Sequence, residues 1–226
     1  MYLLTMDCAG SACSVALFEG NGVIASRHEA MARGQSERLV PMTGEVLADA
    51  GISPQHLHRL AVTVGPGAFT GIRIGLASAR AMALALEVPA TGVTTFDATV
   101  HAFLSDEKIE EQTLLAAILE TKRSDFYVQL FHPDGSPVIA GAAMSGEALS
   151  RMIDEQISDS CVLIGDGAKR FHDGAPQTGK PMALNPGDGF TAVNVGLCAL
   201  AGPATGTDSP RPLYLRPPDV TVKPKS

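Results

Sequence analysis

The densest chemical signal in the sequence is the run Gly65-Pro66-Gly67-Ala68-Phe69-Thr70-Gly71-Ile72-Arg73-Ile74-Gly75. Four glycines between a short apolar strand and a long apolar helix let the backbone turn sharply and approach a ligand or another chain segment closely. Thr70 is placed to cap the helix and leave N–H groups aimed at an anion, while Arg73, one turn in, adds a fork of donors suited to phosphate. That chemistry is a phosphate or nucleotide cradle. The run has neither the Lys-Ser/Thr pair of a Walker loop nor the spacing G-x-G-x-x-G. Packing is the competing account, because the same glycines admit tight helix–strand and helix–helix contact.

Two aspartates sit where such a cradle would need acid groups. Asp7 closes the first strand before Ala9-Gly10-Ser11-Ala12, where it can hold a cation–phosphate pair through water or cap the turn itself. Gly165-Asp166-Gly167 closes an equivalent strand in the second half, either facing Asp7 across a cleft or forming an ordinary turn. Glu120, Lys122, Arg123 and Asp125 cluster between two strands and read as a binding loop or a solvated hairpin end. No His-x-x-x-His, His-Glu-x-x-His, Cys-x-x-Cys or Gly-x-Ser-x-Gly occurs, so neither a metal site nor a nucleophile is indicated. Cys8, Cys13, Cys161 and Cys198 have apolar neighbours and unsuited spacings, and are expected to be buried thiols.

The elements that must position these groups follow from periodicity. Short apolar strands are expected at 2–6, 13–18 and 23–28, the last two joined by Gly20-Asn21-Gly22, and a helix only at 36–50. Three strands before any helix argue against a dinucleotide-binding unit. Then come strand 60–64, a small-residue helix over 70–86, a strand after 88 and a helix over 96–104. Beyond an acidic crossing, strands 114–119, 126–131 and 161–164, helices 145–157 and 191–201, and an irregular stretch 174–189 complete the second half. The expected divisions are 1–105, 106–189, a helix over 190–202 packing back near the junction of the halves, and a proline-rich extended tail over 203–226. Its stretch 212–215 is expected to dock and 222–226 to fray.

At 226 residues, 45% hydrophobic and 18% charged, the chain is long enough to bury a substantial core. A net charge of −7 disfavours nucleic-acid binding by the chain alone, since phosphate contacts supply most of that affinity. No stretch approaches eighteen uncharged apolar residues, and Asp7 interrupts the start where a signal peptide would be apolar, so a cytoplasmic protein without a membrane span is expected.

The opening with Asp7, the run over 65–75 and the terminal Pro212-Leu213-Tyr214-Leu215-Arg216 together resemble the TsaB (YeaZ) family, over essentially the whole chain. The resemblance implies an α/β actin-like/Hsp70-like ATPase (ASKHA) fold in two lobes, each a mixed sheet flanked by helices. It implies a non-catalytic scaffold in threonylcarbamoyl transfer to adenosine 37 of tRNAs reading codons that begin with adenine. TsaD-like paralogues carry a His-x-x-x-His metal pair on their first long helix, whereas Gln35-Ser36-Glu37-Arg38-Leu39-Val40-Pro41-Met42 has no histidine. The loop Glu120-Thr121-Lys122-Arg123 also departs from the family's Asp-Ala-Arg.

The implied partners are a TsaD-type transferase, a TsaE-type ATPase and, in isolation, a second copy, with tRNA met only through the complex. ATP and a metal ion are expected on those partner subunits and no cofactor on this chain. The implied contact surface falls on Leu39, Met42, Val46, Ile72, Arg73, Leu76 and Arg80. A vestigial nucleotide site would use Asp7, Gly65, Gly67, Thr70, Gly71, Arg73, Gly165, Asp166 and Gly167. The alternative carried beside the scaffold is an ATP-binding phosphotransferase or hydrolase built on Asp7, Asp166 and the 65–75 loop.

Overall fold

Alternating side chains along the opening strands send Leu4 and Met6 to one face and Leu3 and Thr5 to the other, so the first sheet must be covered on both sides. In the computed structural model, which describes residues 1–174, 179–186, 189–202 and 209–216, it is. β1 (Tyr2–Asp7), β2 (Ala12–Glu19) and β3 (Gly22–Ala30) form an antiparallel meander. β4 (Leu57–Gly65) and β5 (Ala90–Thr94) then add in parallel, giving the order β3-β2-β1-β4-β5. The second sheet repeats the plan: β6 (Thr113–Glu120), β7 (Asp125–Phe131) and β8 (Ala142–Ser145) are antiparallel, β9 (Ser160–Ile164) and β10 (Met182–Asn185) parallel, in the order β10-β9-β6-β7-β8. Two mixed sheets flanked by helices are the ASKHA architecture that the resemblance implies.

Helix α1 (Gln35–Asp49) and helix α2 (Phe69–Leu86) cover one face of the first sheet. Helices α3 (Thr95–Asp106) and α6 (Ala192–Ala201) cover the other. α6 is tied down by buried polar groups, the Thr5 hydroxyl donating to Ala192 O (2.6 Å) and Ala192 N–H to Ser14 Oγ (2.9 Å). α3 serves both lobes: Ala98 lies in the core under α6, while Phe96 and Val100 pack on Leu115, Ala117 and Phe131 of the second sheet. Helices α4 (Gly146–Gln156) and α5 (Ala168–Gly174) cover that sheet's far face through Leu149, Ile153, Ala168 and Phe171.

Several expectations are corrected. The stretch 174–189 contains β10, and neither β8 nor α5 is evident from periodicity because each is too short to display a period. Thr70 does not cap α2; the flanking residue is Ala68, with no side-chain cap, and Thr70 lies inside the first turn. α2 is also long and apolar enough to cross a membrane by length and composition, although it carries Arg73 and Arg80. Here it lies on the first sheet with Gly71, Ile72, Gly75, Leu76 and Ala79 buried. Cys8, Cys13 and Cys161 are buried as expected, and Cys198 is half-buried. The expected fraying at 222–226 lies outside the described residues.

The contact-surface expectation changes most. Leu39, Met42, Val46, Ile72 and Leu76 are buried between the helices and their own sheet, so none is available to a partner. A helix on a sheet has one apolar stripe that the sheet requires, and these five residues form it. Arg73 and Arg80 face outward. So do Val40 (61% exposed), Pro41, Gly44 and Ala48 of α1, and Ala77, Ala81 and Leu84 (82% exposed) of α2.

Candidate functional site

β1, β4, β6 and the turn after β9 end at one cleft of about 1080 Å³ between the lobes. Ala9-Gly10-Ser11 and the stretch 66–74 form one wall, 120–123 with Tyr127 and Asp166 the other, and 213–216 of the tail a third. The described lining carries five basic residues (Arg33, Arg73, Lys122, Arg123 and Arg216) against the acidic Glu120 and Asp166. This basic cleft in an acidic chain is where an anion would be held. Arg33 belongs to the lining only because the β3–α1 turn folds over it; nothing in its sequence surroundings marks it out.

The glycines are consumed by packing. A side chain at Gly67 would strike Ala9 O and one at Gly71 would strike Cys8 O, so the loop and the start of α2 close directly on the β1–β2 turn. Ala68 N–H donates to Ala9 O at 2.7 Å, which seals that contact. Gly65, with φ +106° and Leu213 O and Ile72 beside it, has both the conformation and the crowding that require glycine. Phe69, Thr70 and Gly71 still border the cleft at the start of α2.

Arg73 borders the cleft and is braced by two aromatic rings. Its guanidinium lies 3.6 Å over the Phe69 ring and its Nε donates to the Tyr214 hydroxyl at 3.0 Å. Phe69 and Tyr214 pack at 5.4 Å between centroids. The tail thus reaches the start of α2 through Tyr214 and braces Arg73 and Phe69.

The two aspartates hold backbone. Asp7 (3% exposed) accepts from Ala9 N–H at 2.9 Å and lies behind the cleft wall. Burial pushes its carboxyl above the usual range, against the Thr63 hydroxyl and Ala9 N–H, which pull it down. Asp166 borders the cleft and accepts from Glu120 N–H at 2.9 Å; burial raises it too. Between them, Gly165 and Gly167 let the turn pack on the backbone around Ile118, where Gly167 N–H donates at 3.0 Å. Glu120 pairs with Arg170 (2.7 Å) and Lys122 has φ +58°, so the divergent loop is a braced turn. Among the described residues no group of three or more His, Cys, Asp or Glu is placed to hold a metal ion.

The family model described as TsaD, tRNA N6-adenosine threonylcarbamoyltransferase, matches residues 22–154. The chain is 28% identical over 225 residues to the Escherichia coli (strain K12) tRNA threonylcarbamoyladenosine biosynthesis protein TsaB, covering 96% of this chain and 95% of that one. The chain belongs to the TsaB (YeaZ) branch of the TsaD family. A crystal structure described as an uncharacterized protein with similarity to peptidase YEAZ from Pseudomonas aeruginosa superposes with TM-score 0.80 at 25% identity, over 95% of this chain and 99% of that one. The fold extends to an inorganic polyphosphate/ATP-glucomannokinase from Arthrobacter sp. strain KM, with TM-score 0.50 at 11% identity over 88% and 97% of the two chains. This chain thus shares its fold with that glucomannokinase, and its loop glycines and Arg73 are engaged by the protein itself.

Proposed function

We propose that this chain acts in threonylcarbamoyladenosine formation on tRNA as a scaffold with no reaction centre of its own. The observation that supports the reading is the closure of the glycine loop on the β1–β2 turn by backbone, with Arg73 stacked on Phe69 and bonded through Nε to Tyr214. The α1 segment Gln35–Met42, free of histidine, supports it from the sequence side. In this reading the chain pairs with a TsaD-type transferase, recruits a TsaE-type ATPase, self-associates when alone and meets tRNA through the complex. ATP and the metal ion are carried by those partners. Its contribution is to favour the competent conformation of the transferase, a shift of population. Among the outward residues of α1 and α2, Gly44, Ala48, Ala77 and Ala81 are small enough for a second helix pair to approach closely, which suits that pairing.

The basic lining of the cleft favours one other reading, an ATP-dependent phosphotransferase or hydrolase using Asp7, Asp166 and the 65–75 loop. One pair of measurements separates them. In a reconstituted modification assay, leaving out this chain is expected to abolish product, and the chain alone with magnesium and ATP is expected to show no turnover. Turnover that Asp166→Asn removes would establish the enzyme instead. Full modification without the chain would end the scaffold reading.

A further inference from the structure

A second cavity, of about 600 Å³, opens on the other helix-covered face of the first sheet and has no part in the reading above. Its floor is β4 and β5, one wall is α3, another the end of α6, and the turn at Asp134-Gly135 of the second lobe closes the rim. On the floor stands Arg59, only 7% exposed. Its guanidinium donates to the Thr91 hydroxyl through Nη2 (3.1 Å) and Nε (3.3 Å), and among the described residues it pairs with no carboxylate. A buried cation with a neutral hydroxyl as its partner is costly unless something in the adjoining space completes its hydrogen bonds.

The remaining polar groups define what that something is. The Asp97 carboxylate accepts from the Thr94 hydroxyl at 2.6 Å and is exposed. Asp134 is held in its own turn by Ser136 N–H at 2.8 Å. Both stand at the mouth, so a polyanion meets repulsion on entry, whereas a single negative group can pass to Arg59 with a neutral or positive remainder left near the aspartates. Val93, Val100, Leu104 and Ala199 supply apolar walls. Burial lowers the pKa of His101, leaving a neutral ring able to donate or accept. The volume falls in the range of small-molecule sites.

We infer that this cavity binds a small molecule with one carboxylate and a neutral or cationic remainder, anchored by a bidentate pair to Arg59. The test uses the full chain and three probes of like shape: L-leucine, 4-methylpentanoate and isopentylamine, with inorganic phosphate as a fourth. The Arg59 side-chain N–H and His101 ring C–H signals are followed by NMR. Both carboxylates are expected to shift them saturably, and the amine, lacking the carboxylate, is not. Arg59→Gln is expected to weaken binding by about tenfold or more, the loss of a charge-assisted pair. Should that variant fail to fold, Leu104→Trp, which fills the cavity and leaves Arg59 in place, is expected to block both carboxylates. No response to either carboxylate at millimolar concentration overturns the inference, as does a response to phosphate alone or one that survives Leu104→Trp.

Discussion

Asp7 holds the Ala9 N–H of its own turn, whereas Asp166 holds the N–H of Glu120 at the end of the neighbouring strand β6. β9, which precedes Asp166, is the counterpart of β4, so the two aspartates do not follow equivalent strands. Their chemistry is that of buried acids, and it has a measurable consequence at Asp7. Because its folded-state pKa is raised, the folded protein binds a proton there at pH values where the unfolded chain has lost it. Stability therefore falls as pH rises from the ordinary carboxylate range through the folded value. Asp7→Asn keeps an acceptor for Ala9 N–H and removes the buried charge. The variant is expected to melt above the native protein at neutral pH, with the difference vanishing at a pH below the ordinary carboxylate range. Thermal melts at both pH values check this; an equal difference at the two would place its origin outside the titration of Asp7. The aspartates could be found in the sequence from their strand-end positions, but whether they face ligand or backbone could not. That depends on which N–H lies within 3 Å once the turns are folded.

At the scale of elements, α1 and α2 show how a pattern can be read correctly and assigned to the wrong neighbour. The apolar positions 39, 42, 46, 72 and 76 follow helical periodicity, and the sheet covers every one of them. Leu76 is 3% exposed and Leu84 82%. Leu76→Glu would put a charge in the core and is expected to cost roughly 4 kcal/mol or more, enough to unfold a marginal domain. Leu84→Glu is expected to change stability by no more than about 0.5 kcal/mol and to weaken association with a TsaD-type subunit by about tenfold or more. Urea unfolding and pull-down with light scattering test both. Association unaffected by Leu84→Glu would move the partner surface off the end of α2. Periodicity identifies an apolar stripe; it carries no label for the surface that will meet it.

At the scale of the molecule, the tail spans the lobes. Arg80 Nε donates to Pro210 O (2.9 Å) and Leu213 N–H to Val64 O (2.8 Å) on the first lobe, and Arg216 pairs with Asp125 on the second. Arg216→Ala is expected to speed amide exchange at 213–216 and 125–127 about fivefold, for a half-buried pair worth roughly 1 kcal/mol, with little change in melting temperature. Unchanged exchange would mean that the ion pair does not hold the lobes. Docking around Pro212-Leu213-Tyr214-Leu215 is expected from the sequence, whereas its capture of Arg73 depends on a contact 141 residues away along the chain. The order of the longer strands and helices, the hairpin and the glycine loop were determined by the sequence alone, because strand alternation, helical period and turn chemistry act over a few neighbouring residues. The two-lobed plan was implied by the resemblance to the TsaB (YeaZ) family. Only the tertiary structure decided which glycines were filled by backbone, which arginine was captured and which was buried beside an open cavity, because those outcomes depend on groups that folding alone brings within a few ångströms.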